Sequence, residues 1–300
     1  MELFVYRGAS PNFGDELNHW LWPRLLGDAF DGAGDLFLGI GSTILSGLSP
    51  RRRKVVFGAG YGGYTAMPAL DASWDVYFVR GKLSSRALGL GDDKAIGDAG
   101  ILIRSLGIQR QATPGRVSFM PHWESVWPGR WAQACRLADV QFIDPTASVD
   151  TVLAAIAGTE LLLTEAMHGA IIADVLRTPW VATSPAMPHR MKWDDWASAL
   201  DLHINWAQLP RSSLLEQALR LAPRGGVLAN ALSARRRATA VLRDYTPDWW
   251  VERAAQQLRK LADSAVPSLS RDTDLDTAHS RMSCQLDWFV RREGLGRIRV

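Results

Sequence analysis

The chain has 300 residues, 47% of them apolar, with 34 Lys/Arg against 31 Asp/Glu and a net charge of +3. That length allows one to three domains, and the apolar share is enough for ordinary buried cores. No run of about 18 apolar residues occurs, so no spanning helix is expected, and no basic stripe with interleaved aromatics marks the first two thirds, which argues against nucleic acid.

The N-terminal MELFVYRGAS carries no basic leader followed by an apolar stretch, so no secretory signal is expected. Cys135 and Cys284 make no metal or redox spacing, which fits a reducing cytoplasm. The charge is uneven. Residues 211–300 hold 16 Lys/Arg against 10 Asp/Glu, whereas residues 1–210 hold 18 against 21. The basic end reads either as a solvated helical face or as a surface for anionic lipid or a diphosphate-bearing acceptor.

In chain order, residues 3–6 read as a strand running into a turn-rich loop with Asn12, Gly14 and Asp15. A helix follows from about Glu16, interrupted at Pro23 and ended by Gly27. Asp15 reads equally as a helix N-cap or as part of a ligand wall. Strands at 35–38 and 54–57 open into Gly39-Ile40-Gly41-Ser42 and Gly58-Ala59-Gly60-Tyr61-Gly62-Gly63. The second run matches the dinucleotide fingerprint, but Pro68 arrives where the long helix should be, so a nicotinamide site is not expected. What survives is a glycine turn, with Gly60 and Ser42, whose backbone lets an anion approach. A strand at 76–79 ends at Arg80, placed either to grip a phosphate or carboxylate in bidentate fashion or to form a structural ion pair. Residues 95–96 read as another strand, opening into a turn at Asp98.

A polar segment at 109–116 marks a domain boundary. A second series begins with a strand at 117–120 ending at His122, and continues with a helix at 130–138 and a strand at 140–143. A Ser148-capped helix follows, then a strand at 161–163. That strand turns at Thr164-Glu165-Ala166 into a helix starting near Met167, so His168 stands at a strand-to-helix junction. Free N–H groups and the positive end of the helix dipole favour an anion there. A strand at 180–183 then leads to Arg190, Lys192, Asp194 and Asp195 in a loop or helix start. The rest reads as helices at 213–221, 227–243 and 247–262, a linker at 266–276 and a last helix at 277–292. Two strand–helix series and a helical tail predict an α/β fold. Two doubly wound Rossmann-like domains (residues 1–112 and 113–210) face a cleft, with an Arg-rich helical segment at 211–300.

Several elements together resemble the polysaccharide pyruvyltransferase family, in particular bacterial exopolysaccharide ketal pyruvyltransferases. They are Asn12-Phe13-Gly14-Asp15, Gly41-Ser42, Gly58-Ala59-Gly60, Arg80-Gly81-Lys82-Leu83-Ser84, Gly97-Asp98-Ala99-Gly100 and Pro121-His122. To these are added the 164–173 stretch with Met167-His168-Gly169, and Arg190-Met191-Lys192-Trp193-Asp194-Asp195. Ala99 stands where the family has proline, Thr164-Glu165 where it has a serine- or asparagine-rich pair, and Met167 where it has leucine or arginine.

The resemblance implies a fold like the GT-B glycosyltransferases. It implies transfer of pyruvate from phosphoenolpyruvate, as co-substrate, to two hydroxyls of a sugar in an oligosaccharide repeat, with no metal or other cofactor. On this reading His168 is the acid/base, with His122 in reserve. Arg80, Arg190, Lys192, Gly60 and Ser42 bind the donor. Asn12, Asp15, Asp98, Met167, Asp194 and Asp195 bind or support the acceptor. The acceptor would be lipid-linked, and the enzyme cytoplasmic, in peripheral contact with the inner membrane. The competing readings are a nucleotide-sugar glycosyltransferase of the same architecture and a non-enzymatic assembly factor.

Overall fold

The computed structural model describes residues 1–6, 11–184, 190–222 and 236–296. The expectations for residues 7–10, 187–189 and 227–235 lie outside the described residues. The fold is α/β, with two all-parallel sheets. The first joins β1 (Glu2–Leu3), β2 (Leu36–Leu38), β3 (Lys54–Phe57) and β4 (Trp74–Phe78) in chain order. The second comprises β5 (Val117–Met120), β6 (Gln141–Phe142), β7 (Leu161–Thr164), β8 (Trp180–Thr183) and β9 (Trp206–Ala207), in the order β6-β5-β7-β8-β9. Strands such as β3 and β8 are mostly apolar and buried along their whole length, as parallel strands covered on both faces must be.

The two sheets differ from the doubly wound expectation in one respect. The first runs without reversal of strand order, so it has no switch point. The second reverses between β5 and β7, and a crevice opens outside the carboxyl ends of those two strands. Residues 95–96 contribute only a parallel bridge from Ala95 to Val79 rather than a full strand.

The helices of the first half are α1 (Phe13–Leu26), α2 (Lys82–Ala87) and a 3-10 helix (Ala99–Leu106). In the second half they are α3 (Trp123–Val126), α4 (Trp131–Ala138), α5 (Val149–Ala157), α6 (Met167–Val175) and α7 (Arg190–Ala199). Then come α8 (Leu214–Leu221), α9 (Arg236–Asp244), α10 (Asp248–Ser264) and α11 (Asp272–Glu293). α1 begins earlier than its sequence suggests because Asn12, not Asp15, is the N-cap: Asn12 Oδ1 accepts from the Asp15 N–H at 3.1 Å. Pro23 does not end α1, which runs on to Leu26. The segment at 190–199, read as a loop or helix start, is a full helix that buries Trp193, Trp196 and Ala197.

The largest apolar core draws from both halves. Leu17, Leu21 and Trp22 of α1 share it with Ile171 and Ile172 of α6, Ile101 and Leu102 of the 3-10 helix, and Leu286 of α11. α11 returns to the first sheet, where Phe289 packs edge-on against Phe57 and Tyr77, with ring centroids 5.1 and 5.3 Å apart. α10 covers the second sheet over Trp131, Leu163 and Val181. The expected linker at 266–276 is partly ordered: Ser268 forms an antiparallel bridge with Trp180, and α11 already begins at Asp272. Among the described residues no helix is long and apolar enough to cross a membrane.

Candidate active site between the two sheets

A cavity of about 680 Å³ lies where the carboxyl ends of the two sheets meet. Tyr6, the 12–15 turn, Gly41 and Ser42 line it from the first half. Met120, His122, Trp123, Pro145 and residues 165–168 line it from the second, together with Lys192 and Trp193 of α7. Two helix starts therefore face the same space. α6 has no side-chain cap at Ala166, so its first N–H groups are left for a ligand. The turn after β2 is held from behind by Asn18, whose side chain accepts from the Ile40 N–H at 2.8 Å and donates to the Ile40 carbonyl at 3.0 Å. That brace fixes Gly41 and Ser42 at the cavity edge.

His168 sits in the first turn of α6 with 14% of its side chain exposed. Its Nδ1 lies over Gly14, so close that a β-carbon at that position would come within 2.1 Å of it. Its Nε2 is sealed from solvent, has no hydrogen-bond partner, and stands 3.6 Å from Oδ2 of Asp98. Asp15 lies beside the ring. Burial pushes its carboxyl above the usual range, against the opposing pull of the Asn12 hydrogen bond, His168 and Lys192. His122 caps α3, and its Nδ1 lies 3.5 Å from the Glu124 carboxylate.

The structure does not bring every residue singled out from the sequence to the cavity wall. Asn12, Asp15, Ser42, His122, Met167, His168 and Lys192 line it; Gly60, Arg80, Asp98, Arg190, Asp194 and Asp195 do not. Arg80 is fully buried, and its Nε pairs with Oδ2 of Asp195 at 3.0 Å, the structural ion pair that is the second reading of this residue. Its Nη1 donates to Ser42 Oγ at 3.0 Å, which leaves the Ser42 hydroxyl proton available to the cavity. Gly60 serves this arrangement: the Arg80 guanidinium occupies the space a side chain there would need, 2.2 Å from a β-carbon. Asp195 also accepts from the Ser84 N–H and hydroxyl, tying α7 to α2. Arg190 stacks over Trp206, 4.8 Å from the ring centre, and Asp194 is exposed.

Glu165 lines the cavity and was not singled out from the sequence as a site residue. It is 1% exposed; its Oε2 accepts from the His122 N–H at 3.0 Å, and its Oε1 lies 3.9 Å from Arg211. Arg211 is shared with the buried Glu216, 3.7 Å away. Burial first, and then repulsion from Glu216, push the Glu165 carboxyl up to about 8. Its signal in the sequence was a carboxylate directly after a buried strand, at the switch point of the sheet. Tyr64 and Trp123 add aromatic wall, and the Lys192 ammonium lies 5.5 Å from the Tyr64 ring centre.

Residues 12–186 match the sequence profile described as polysaccharide pyruvyl transferase. The chain is 33% identical over 222 residues to the succinoglycan biosynthesis protein ExoV of Rhizobium meliloti (strain 1021), covering 72% of this chain and 70% of that protein. No solved structure gives a significant match. The chain belongs to the polysaccharide pyruvyl transferase family, which places it among transferases. The profile match ends at residue 186, before α7, so Lys192 and Asp195 lie beyond it.

Proposed function

We propose that the protein transfers pyruvate from phosphoenolpyruvate to two hydroxyls of one sugar in an exopolysaccharide repeat unit, forming a cyclic ketal and releasing phosphate. The observation that carries this reading is His168 on the uncapped start of α6, packed against the 12–15 turn at the wall of a cavity that Lys192 also lines. The donor phosphate sits against the free N–H groups of α6 and the Lys192 ammonium. Ser42 donates to a donor oxygen. Burial raises the carboxyls of Asp15 and Glu165, that of Glu165 up to about 8, which lessens their repulsion of the anion.

In the first step a sugar hydroxyl attacks C2 of the donor, its proton passes to His168, and C3 takes up one proton from solvent to become a methyl group, His168 returning its proton to solvent afterwards. In the second, the neighbouring hydroxyl attacks C2, the C2–O bond to phosphate breaks with its electron pair leaving on phosphate, and the hydroxyl proton goes to the departing phosphate as the ketal closes. General acid–base help of this kind is worth roughly 10²–10⁴-fold. Tyr64 and Trp123 offer faces on which sugar rings stack, and Met167, also at the wall, shapes the acceptor side. The reading carries with it a GT-B-like arrangement, which the two parallel sheets and the helix returning from the C-terminal end support.

The acceptor is proposed to be lipid-linked and met at the cytoplasmic face of the inner membrane. Residues 220–260 hold nine Lys/Arg against three Asp/Glu, and Val241, Tyr245 and Trp249 are exposed there. Arg243 at the end of α9 donates to the Trp127 carbonyl at 3.2 Å, which sets this surface beside α3 and hence beside the cavity. The decisive experiment is incubation with phosphoenolpyruvate and synthetic or lipid-linked oligosaccharides. Phosphate release together with an acceptor mass gain of pyruvate less water supports the reading. Reaction with nucleotide sugars and none with phosphoenolpyruvate overturns it.

A further inference from the structure

We infer that Asp98, contributed by the first half of the chain, is the positioning residue of His168, contributed by the second, so that the reactive histidine is completed only where the two sheets dock. Asp98 is fully buried and does not touch the cavity. One of its oxygens is accounted for by local structure: Oδ1 accepts from the Gly100 N–H at 2.9 Å and caps the 3-10 helix. The other is not. Oδ2 is buried with no hydrogen-bond partner, and so is the atom it faces, Nε2 of His168. A buried polar atom without a partner costs about 1–3 kcal/mol. Two such atoms facing each other at 3.6 Å are one unmade hydrogen bond rather than two separate defects.

That bond has a defined polarity. A carboxylate only accepts, so Nε2 must carry the proton, and Nδ1 then holds the lone pair. Nδ1 is the atom over cavity-lining Gly14. The tautomer that satisfies Asp98 is therefore the one that leaves the basic nitrogen on the Gly14 side, at the cavity wall. Once the ring has taken a substrate proton, the carboxylate also supplies a counter-charge at a helix start, where the dipole opposes a cation. A distance of 3.6 Å is too long for a hydrogen bond in the free enzyme. Such contacts tighten when substrate arrives. The frame for this is in place: Gly100, next but one to Asp98, rests on Ile171 and Ile172 of α6.

The assignment rests on the pyruvyl-transfer reading for its chemistry but not for its tautomer, and the test separates the two. Long-range ¹H–¹⁵N spectra of the ¹⁵N-histidine-labelled full chain, with His168→Asn used to assign the signal, should show neutral His168 with its proton on Nε2. Asp98→Asn keeps the size and the Gly100 cap but replaces the facing acceptor with a donor. It should move the proton to Nδ1 and lower kcat at least about a hundredfold, with the KM for phosphoenolpyruvate within about threefold of the parent. An Nδ1–H tautomer in the unmodified protein, which needs no variant to fold, overturns the inference. So does Asp98→Asn with unchanged tautomer and unchanged kcat. If the unmodified protein releases no phosphate from phosphoenolpyruvate with any acceptor, the function reading fails while the tautomer still decides this one.

Discussion

Nδ1 of His168 lies over the backbone of Gly14, where a β-carbon would approach it to 2.1 Å. The contact joins the start of α1 to the start of α6, so the position of the ring is set by the opposite half of the chain. Gly14→Ala must push the ring away, because Nε2 is already sealed on the Asp98 side. A displacement of about 1 Å costs about a hundredfold in rate. The variant should lose that much kcat in phosphate release while its unfolding midpoint changes little, and a fully active Gly14→Ala would show that the ring need not sit there.

Arg80 and Asp195 form the buried ion pair that holds α7 against α2. Removing one member strands the other charge away from water, at a cost of about 3–5 kcal/mol. Arg80→Met should therefore lower stability by that amount in denaturant unfolding, and Arg80→Met with Asp195→Leu should regain most of it. A direct donor contact predicts the opposite pattern: near-normal stability with a raised KM for phosphoenolpyruvate. Titrating both quantities in the single variant tells the two apart.

The fold was readable where the signal is local. Short, mostly apolar runs at 54–57, 117–120 and 161–163 are strands because nothing else buries such runs so briefly, and His168 stands at the strand-to-helix turn that the residues around it require. Partnerships across 70 to 115 positions left no such mark. Nothing near Arg80 announces Asp195, and nothing near His168 announces Asp98. α7 carried a usable signal in Trp193, Trp196, Ala197 and Leu200, a helical spacing masked by the charged residues between them. Glu165 was hidden differently. A carboxylate after an apolar strand reads as a polar turn until the fold closes Arg211 and Glu216 around it.

Burial of Glu165 has a consequence for stability against pH. Its carboxyl titrates near 4.5 when free and at about 8 in the folded chain, so between those values the folded state holds the extra proton. Stability should fall as pH rises through that window and level off above about 8. Glu216, raised by its own burial, acts in the same direction. Thermal unfolding from pH 5 to 9 should show this decline in the parent and a shallower one in Glu165→Gln, which cannot titrate. Parallel curves for the two proteins would mean that Glu165 is ionised throughout.

Exposed aromatic residues at the junction of α9 and α10 form a surface of their own. Tyr245 is 80% exposed and Trp249 58%, beside a stretch with an excess of six positive charges. Aromatic rings settle at the headgroup level of a bilayer, and each nearby basic residue adds about 1 kcal/mol of attraction to an anionic surface. The full chain should sediment with vesicles containing phosphatidylglycerol and much less with phosphatidylcholine alone. Tyr245→Ser with Trp249→Ser should weaken that binding at least about tenfold. Raising salt from about 0.1 M to about 1 M shortens the screening length from about 10 to about 3 Å. The basic contribution should then fade while the aromatic one persists, so the double variant in high salt should bind least. Equal binding to both vesicle types would assign the charge of this surface to solubility. Phosphate release with a water-soluble acceptor should be the same in the double variant and the parent, because neither residue lines the cavity.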